Sequence, residues 1–136
     1  MDVTMLLCDA AQEASGKLFI LGGGWSVVRA PNVPVPMTLA IRVSVPWDET
    51  NRKHRIHAEL VDEDGNRVTP AGAPGPIGAD GEFEVGRPAG MKPGTPLDAP
   101  LVMNFGFLIL GPGGYAWVLH LDGEEAARAS FRVLAS

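Results

Sequence analysis

Apolar and polar residues alternate in short runs along most of the chain, and alternation marks half-buried strands. In Thr38–Val45, Leu39, Ile41, Val43 and Val45 point to one face and Thr38, Ala40, Arg42 and Ser44 to the other. Pro46, which has no N–H to donate, stops that ladder. Arg55–Val61 repeats the pattern, with Ile56, Ala58 and Leu60 inward and Arg55, His57 and Glu59 outward. It runs into Asp62-Glu63-Asp64-Gly65-Asn66, where Asp and Gly predict a tight turn and a short return strand at Arg67–Thr69. Asp80-Gly81 opens another run, with Phe83 and Val85 inward and Glu82 and Glu84 outward. Leu101–Leu110 is apolar on both sides, which predicts a central strand covered on both faces. Gly111-Pro112-Gly113-Gly114 ends it. Tyr115–Leu121 and Ala126–Leu134 then flank Asp122-Gly123 as a hairpin, with Ala127, Ala129, Phe131 and Val133 sharing one face of the return strand.

Val3–Cys8 and Lys17–Leu21 also read as strands. Between them, Asp9–Ser15 fits a helical turn capped by Asp9 and closed by Gly16. It fits equally an extension of the first strand to a hairpin turned at Ser15-Gly16, the favoured reading. Beyond Gly22-Gly23-Gly24, Trp25–Arg29 gives another short strand. The pattern predicts eight to ten strands with almost no helix. A sheet of so many short strands must fold over itself to bury a face. The expected architecture is therefore all-β: one domain over residues 1–136, built as a two-sheet antiparallel β-sandwich, with an open barrel as the alternative. The 17 glycines and 12 prolines fall mostly between runs. Two segments rich in them, Pro70–Ala79 and Arg87–Pro96, read as long surface loops.

Composition narrows the function classes. A length of 136 residues suits a single domain that needs no staples. One cysteine excludes an intramolecular disulfide and a multi-cysteine zinc site. A net charge of −5 argues against nucleic acid and against anionic membranes as partners. The start, Met1-Asp2-Val3-Thr4, has no basic region, and no apolar run approaches a membrane helix. A cytoplasmic protein with a reduced thiol is the expectation.

Candidate chemistry is sparse. Gly22–Gly24 lacks the spacing of a dinucleotide loop and the lysine of a P-loop, so a bulge or turn is expected. Glu82 and Glu84, about 6.7 Å apart on one strand face, have the spacing of a glycosidase pair. No aromatic platform accompanies them, and an ordinary solvated face explains them as well. His54 and His57 face opposite ways on a strand, and His120 is remote in sequence, so no metal site and no cofactor is expected. Asn51-Arg52-Lys53-His54-Arg55 is a basic cluster beside Asp48 and Glu49, expected to be solvated. Asp62, Asp64 and Asn66 resemble a calcium loop in composition, but the glycine is misplaced for an EF-hand. Cys8 reads as a small buried hydrophobe. Trp25 and Trp47 sit at strand edges beside loops, where an indole plugs a sandwich end or anchors a partner.

Several segments together resemble a family of small, single-domain bacterial proteins of unknown function. They are Leu7-Cys8-Asp9-Ala10-Ala11, Gly16-Lys17-Leu18-Phe19-Ile20-Leu21-Gly22-Gly23-Gly24-Trp25, Val45-Pro46-Trp47 with His54, Gly81-Glu82-Phe83-Glu84-Val85-Gly86-Arg87-Pro88 with Gly90, Gly114-Tyr115, and Leu121-Asp122-Gly123-Glu124. The resemblance spans nearly the whole chain and implies no activity. One departure is Ala10, where the family is expected to carry an aromatic, often Tyr. With no convergent nucleophile, base and oxyanion donors, the expected function is a non-enzymatic binding module. Self-association as a homodimer or higher oligomer is expected, with another protein as a further partner. Its weak ligand-site candidates are Trp25, Arg29, Trp47, His54 and Arg87. The alternatives are a small carbohydrate-acting hydrolase using Glu82 and Glu84, and a calcium-dependent module using Asp62 and Asp64.

Overall fold

The computed structural model describes residues 1–135. Nine strands follow in order: β1 (Asp2–Ala14), β2 (Lys17–Gly23), β3 (Val27–Val28), β4 (Pro34–Val45), β5 (Lys53–Asp62), β6 (Gly78–Glu84), β7 (Leu97–Ile109), β8 (Gly113–Leu121) and β9 (Glu124–Val133). A single 3₁₀ turn, Trp47–Glu49, lies between β4 and β5. The strands form two open sheets, β2-β1-β4-β7 and β3-β9-β8-β5-β6. Neither closes into a barrel, so the sandwich reading holds. No helix among the described residues is long and apolar enough to cross a membrane.

β4 pairs with β7 in one sheet and β5 with β8 in the other, and of the five passages between sheets those after β4 and β7 interlock the two layers. This is the interlock of immunoglobulin-type sandwiches, in which strands B and E pair in one sheet and C and F in the other. Tyr115, at the start of β8, adds to the likeness. Its hydroxyl donates to the Gly111 carbonyl at 2.8 Å, as a tyrosine corner does. All pairings are antiparallel except the two-residue contact of β3 with β9.

The core follows from the alternation. Leu39, Ile41, Val43 and Val45 of β4 are fully buried, facing Leu60 of β5 and Trp117 and Leu119 of β8 in one cluster. Phe105 of β7 stacks on Trp117 with ring centroids 4.1 Å apart. The β8–β9 hairpin turns at Asp122-Gly123 as expected, both residues at positive φ. The N-terminal ambiguity resolves to the hairpin. β1 runs without interruption to Ala14, and Ser15 and Gly16 turn it with φ of 52° and 74°.

Three expectations are corrected. Leu101–Leu110 is not a central strand covered on both faces, because β7 is an edge of its sheet and Phe107 stays 70% exposed. The strand with both faces covered is β4, where Thr38 and Ala40 are buried on the outer side as well. Arg67–Thr69 forms no return strand. It makes a single bridge from Arg67 to Val61, and β6 takes the place beside β5. The reason is Asp62, whose side chain accepts from the Asp64 and Asn66 amides and closes a local turn, while Pro70 soon interrupts the segment. Of Trp25–Arg29, the strand is confined to Val27–Val28.

Candidate functional site

Three of the five weak site candidates meet at one end of the sandwich. The Arg87 guanidinium lies 4.1 Å from the centre of the Trp47 ring. It also donates to the Thr50 hydroxyl at 2.7 Å and to the Trp47 carbonyl at 2.6 Å. His54, at the start of β5, is buried against the same turn. Its Nε2 faces the Glu49 carbonyl at 2.7 Å and its Nδ1 faces the Asp122 carboxylate at 2.8 Å. Both partners are acceptors, so the doubly protonated imidazolium is the form that satisfies both bonds. Burial pushes its pKa down, but the bonds to Asp122 and Glu49 outweigh this and the net shift is upward. The bond from His54, with the Arg55 amide, holds Asp122 below the usual carboxylate range. The His54 ring, the Asp122 carboxylate, the Thr50 hydroxyl and the Arg87 guanidinium are thus each engaged with neighbours, and the cluster reads as a clasp joining the 3₁₀ turn, β5 and the β8–β9 turn. The other two candidates lie elsewhere. Trp25 packs edge-on against Phe131 of β9, and Arg29 follows β3 with its side chain exposed.

A second feature lies at the edge of the smaller sheet. Among the described residues, β2 pairs with β1 on one side and with no strand on the other. Phe19 is 56% exposed, Leu21 is 72% exposed, and Ile20 is exposed on the opposite face. Ala10 and Ala11 of β1 line a shallow apolar groove with Phe19, Ile20 and Leu21. The three glycines that end β2 make no phosphate cradle. Gly24 donates to the Leu7 carbonyl at 2.8 Å as the chain leaves the sheet. The remaining edges carry devices that discourage pairing. β3 has two residues, β6 presents Asp80, Glu82 and Glu84, and β7 contains Pro100 and a bend where Asn104 accepts from the Gly106 amide. β2 has no proline, and Lys17 is its one charge.

The third feature is a row of titratable groups across the outer face of the larger sheet. Register places Asp80 of β6, His57 of β5, His120 of β8 and Glu125 of β9 side by side. They lie in or beside a broad open groove lined also by Arg55, Glu82 and Asp122. His57 Nδ1 faces the Asp80 carboxylate at 2.7 Å, and His57 Nε2 faces Glu59 at 3.4 Å. The His57 and His120 rings lie 5.9 Å apart. The alternation placed His57 outward, but only the register shows His120 opposite it. Glu59 and Asp80 had no signal of their own.

The paired glutamates stand differently. Glu82 lies opposite Arg55 and Glu84 opposite Lys53, as outward cross-strand charge pairs. In the acidic turn, Asp62 Oδ1 already accepts two amides. Cys8 is fully buried, with its thiol directed at the Thr38 carbonyl, and burial, then the charge of Asp9, pushes its pKa up.

No curated protein matches the chain, and no solved structure does. One family model matches residues 3–134, nearly the whole length. The chain belongs to that family, a family of unknown function designated DUF6941.

Proposed function

We propose that this protein is a non-enzymatic binding module that associates with a second copy of itself through β2. The observation that carries the reading is the unpaired outer edge of β2, with Phe19 and Leu21 56% and 72% exposed. A free strand edge offers a row of backbone donors and acceptors, and an added strand satisfies them. The sequence of β2 suits its own copy. Antiparallel pairing about a two-fold axis at Ile20 sets Phe19 against Leu21 of the second copy, and Leu21 against Phe19. It sets Lys17 opposite the uncharged Gly23, so no like charges meet in the pairing. Aromatic–aliphatic cross-strand pairs contribute roughly 0.2–1 kcal/mol each beyond alanine. Fully burying a large apolar side chain contributes about 1.5–3 kcal/mol. Two four-stranded sheets then become one continuous eight-stranded sheet.

Sedimentation equilibrium on the full chain tests the reading. The protein is expected as a dimer or higher oligomer at micromolar concentration. Phe19→Lys with Leu21→Lys, both at exposed positions, is expected to give a folded monomer. A monomeric parent protein, or an oligomer that the double variant leaves intact, overturns the reading.

A further inference from the structure

We infer that His57, Glu59 and His120 form a binding site for a zinc-class divalent metal ion on the outer face of the larger sheet. This goes beyond the association surface, which lies on the other sheet and shares no residue with it. Three observations carry it. One ligand atom from each of the three residues lies within 4.8 Å of the others, so small side-chain rotations bring them to a common centre. Two imidazoles and a carboxylate are the donor set of open zinc sites, which keep a remaining position for water or another ligand. Next, the outer partners are in place. Asp80 meets His57 Nδ1 at 2.7 Å, which fixes the tautomer and leaves the Nε2 lone pair directed toward Glu59. A carboxylate behind a histidine is the usual support of a metal-bound imidazole. Arg67 Nε holds Glu59 Oε2 at 3.0 Å, leaving the second carboxylate oxygen free of that ion pair. Finally, His120 Nδ1 is buried without a hydrogen-bond partner among the described residues, a state that costs free energy unless something fills it.

The neighbouring groups limit the ligand set. Glu125, next to His120 in register, is engaged by Arg128 at 2.9 Å and 3.4 Å. Glu82 faces Arg55. The metal would therefore take three protein ligands from β5 and β8, with Asp80 of β6 orienting one of them. Its remaining positions would face the open groove.

Calorimetric titration of the tag-free chain with zinc chloride, and the absorption bands of added cobalt(II), test the site. One equivalent with micromolar or tighter affinity is expected. His120→Asn and Glu59→Gln should each abolish it or weaken it severely. Asp80→Asn should weaken it roughly 10- to 100-fold, as loss of an outer-shell carboxylate does. Circular dichroism confirms that each variant is folded. Should His120→Asn not fold, Glu59→Gln decides, because it keeps the shape of the side chain and removes the anionic ligand. No binding by the parent protein overturns the inference, and so does binding that survives Glu59→Gln unchanged. Sedimentation of the same variants separates this result from the association through β2, which none of them should disturb.

Discussion

His54 is the residue on which one end of the molecule turns. It is 1% exposed and bonded at both ring nitrogens, so it reports its surroundings through protonation. Its pKa is raised in the folded protein, so its contribution is full below the unfolded value of about 6.5 and is lost as pH rises through the folded value. Asp122 is lowered, so its contribution is full above about 3.9 and is lost as pH falls through the folded value. The pair therefore stabilises most between about pH 4 and 6.5. The variant Asp122→Asn suits the left-handed turn position and removes the charge. Its deficit in urea midpoint against the parent protein is expected to be largest near pH 5 and to shrink toward pH 9 and pH 3. The sequence showed His54 beside a loop, together with Trp47 and Arg87. It could not show that Asp122, 68 residues away, completes the pair, because contacts of that separation depend on sheet register.

Among elements, the β8–β9 hairpin was the most legible, with its alternation and its Asp122-Gly123 turn both readable. The β1–β2 hairpin was less so, and the doubtful stretch Asp9–Ser15 resolved only once β2 supplied pairing partners through Lys17. Ser15 holds φ at 52° without the side-chain preference that favours this conformation. Ser15→Asn is therefore expected to raise stability by about 0.5 kcal/mol, read from thermal or urea unfolding. β7 shows the opposite case. Its apolar run predicted a buried centre, yet Phe107 points out from an edge. Hydrophobicity alone does not distinguish an interior strand from an edge that keeps apolar residues. The histidine row was hidden for a related reason. Parity put His57 outward, but the meeting of His57 with His120 needs the pairing of β5 and β8, which no local pattern encodes.

At the scale of the whole molecule, the class of fold was readable because nearly every strand carries its own alternation. The strand order was not, because the five sheet-to-sheet crossings leave no local trace. Cys8 tests how cooperatively the assembly holds. It is fully buried on β1, opposite Gly23 of β2 and Thr38 of β4. Burial and then the charge of Asp9 keep its thiol protonated. Labelling by a thiol reagent is expected to require global opening, with the denaturant dependence of the equilibrium transition. Rapid labelling in native buffer would show that the β1–β2 hairpin detaches on its own.

The two-residue parallel contact of β3 with β9 has a mechanical consequence. Parallel pairing means that β9 and the short strap run the same way, and β1 also runs from the Trp47 end toward the other end of the sandwich. The first and last strands therefore emerge from opposite ends. A pull on the two termini loads the β1–β4 ladder and the β3–β9 clamp along their length, in shear. Bonds loaded in shear must yield together, whereas bonds that are unzipped yield one at a time. Greater resistance is thus expected to a pull between the two termini than to a pull across the strands.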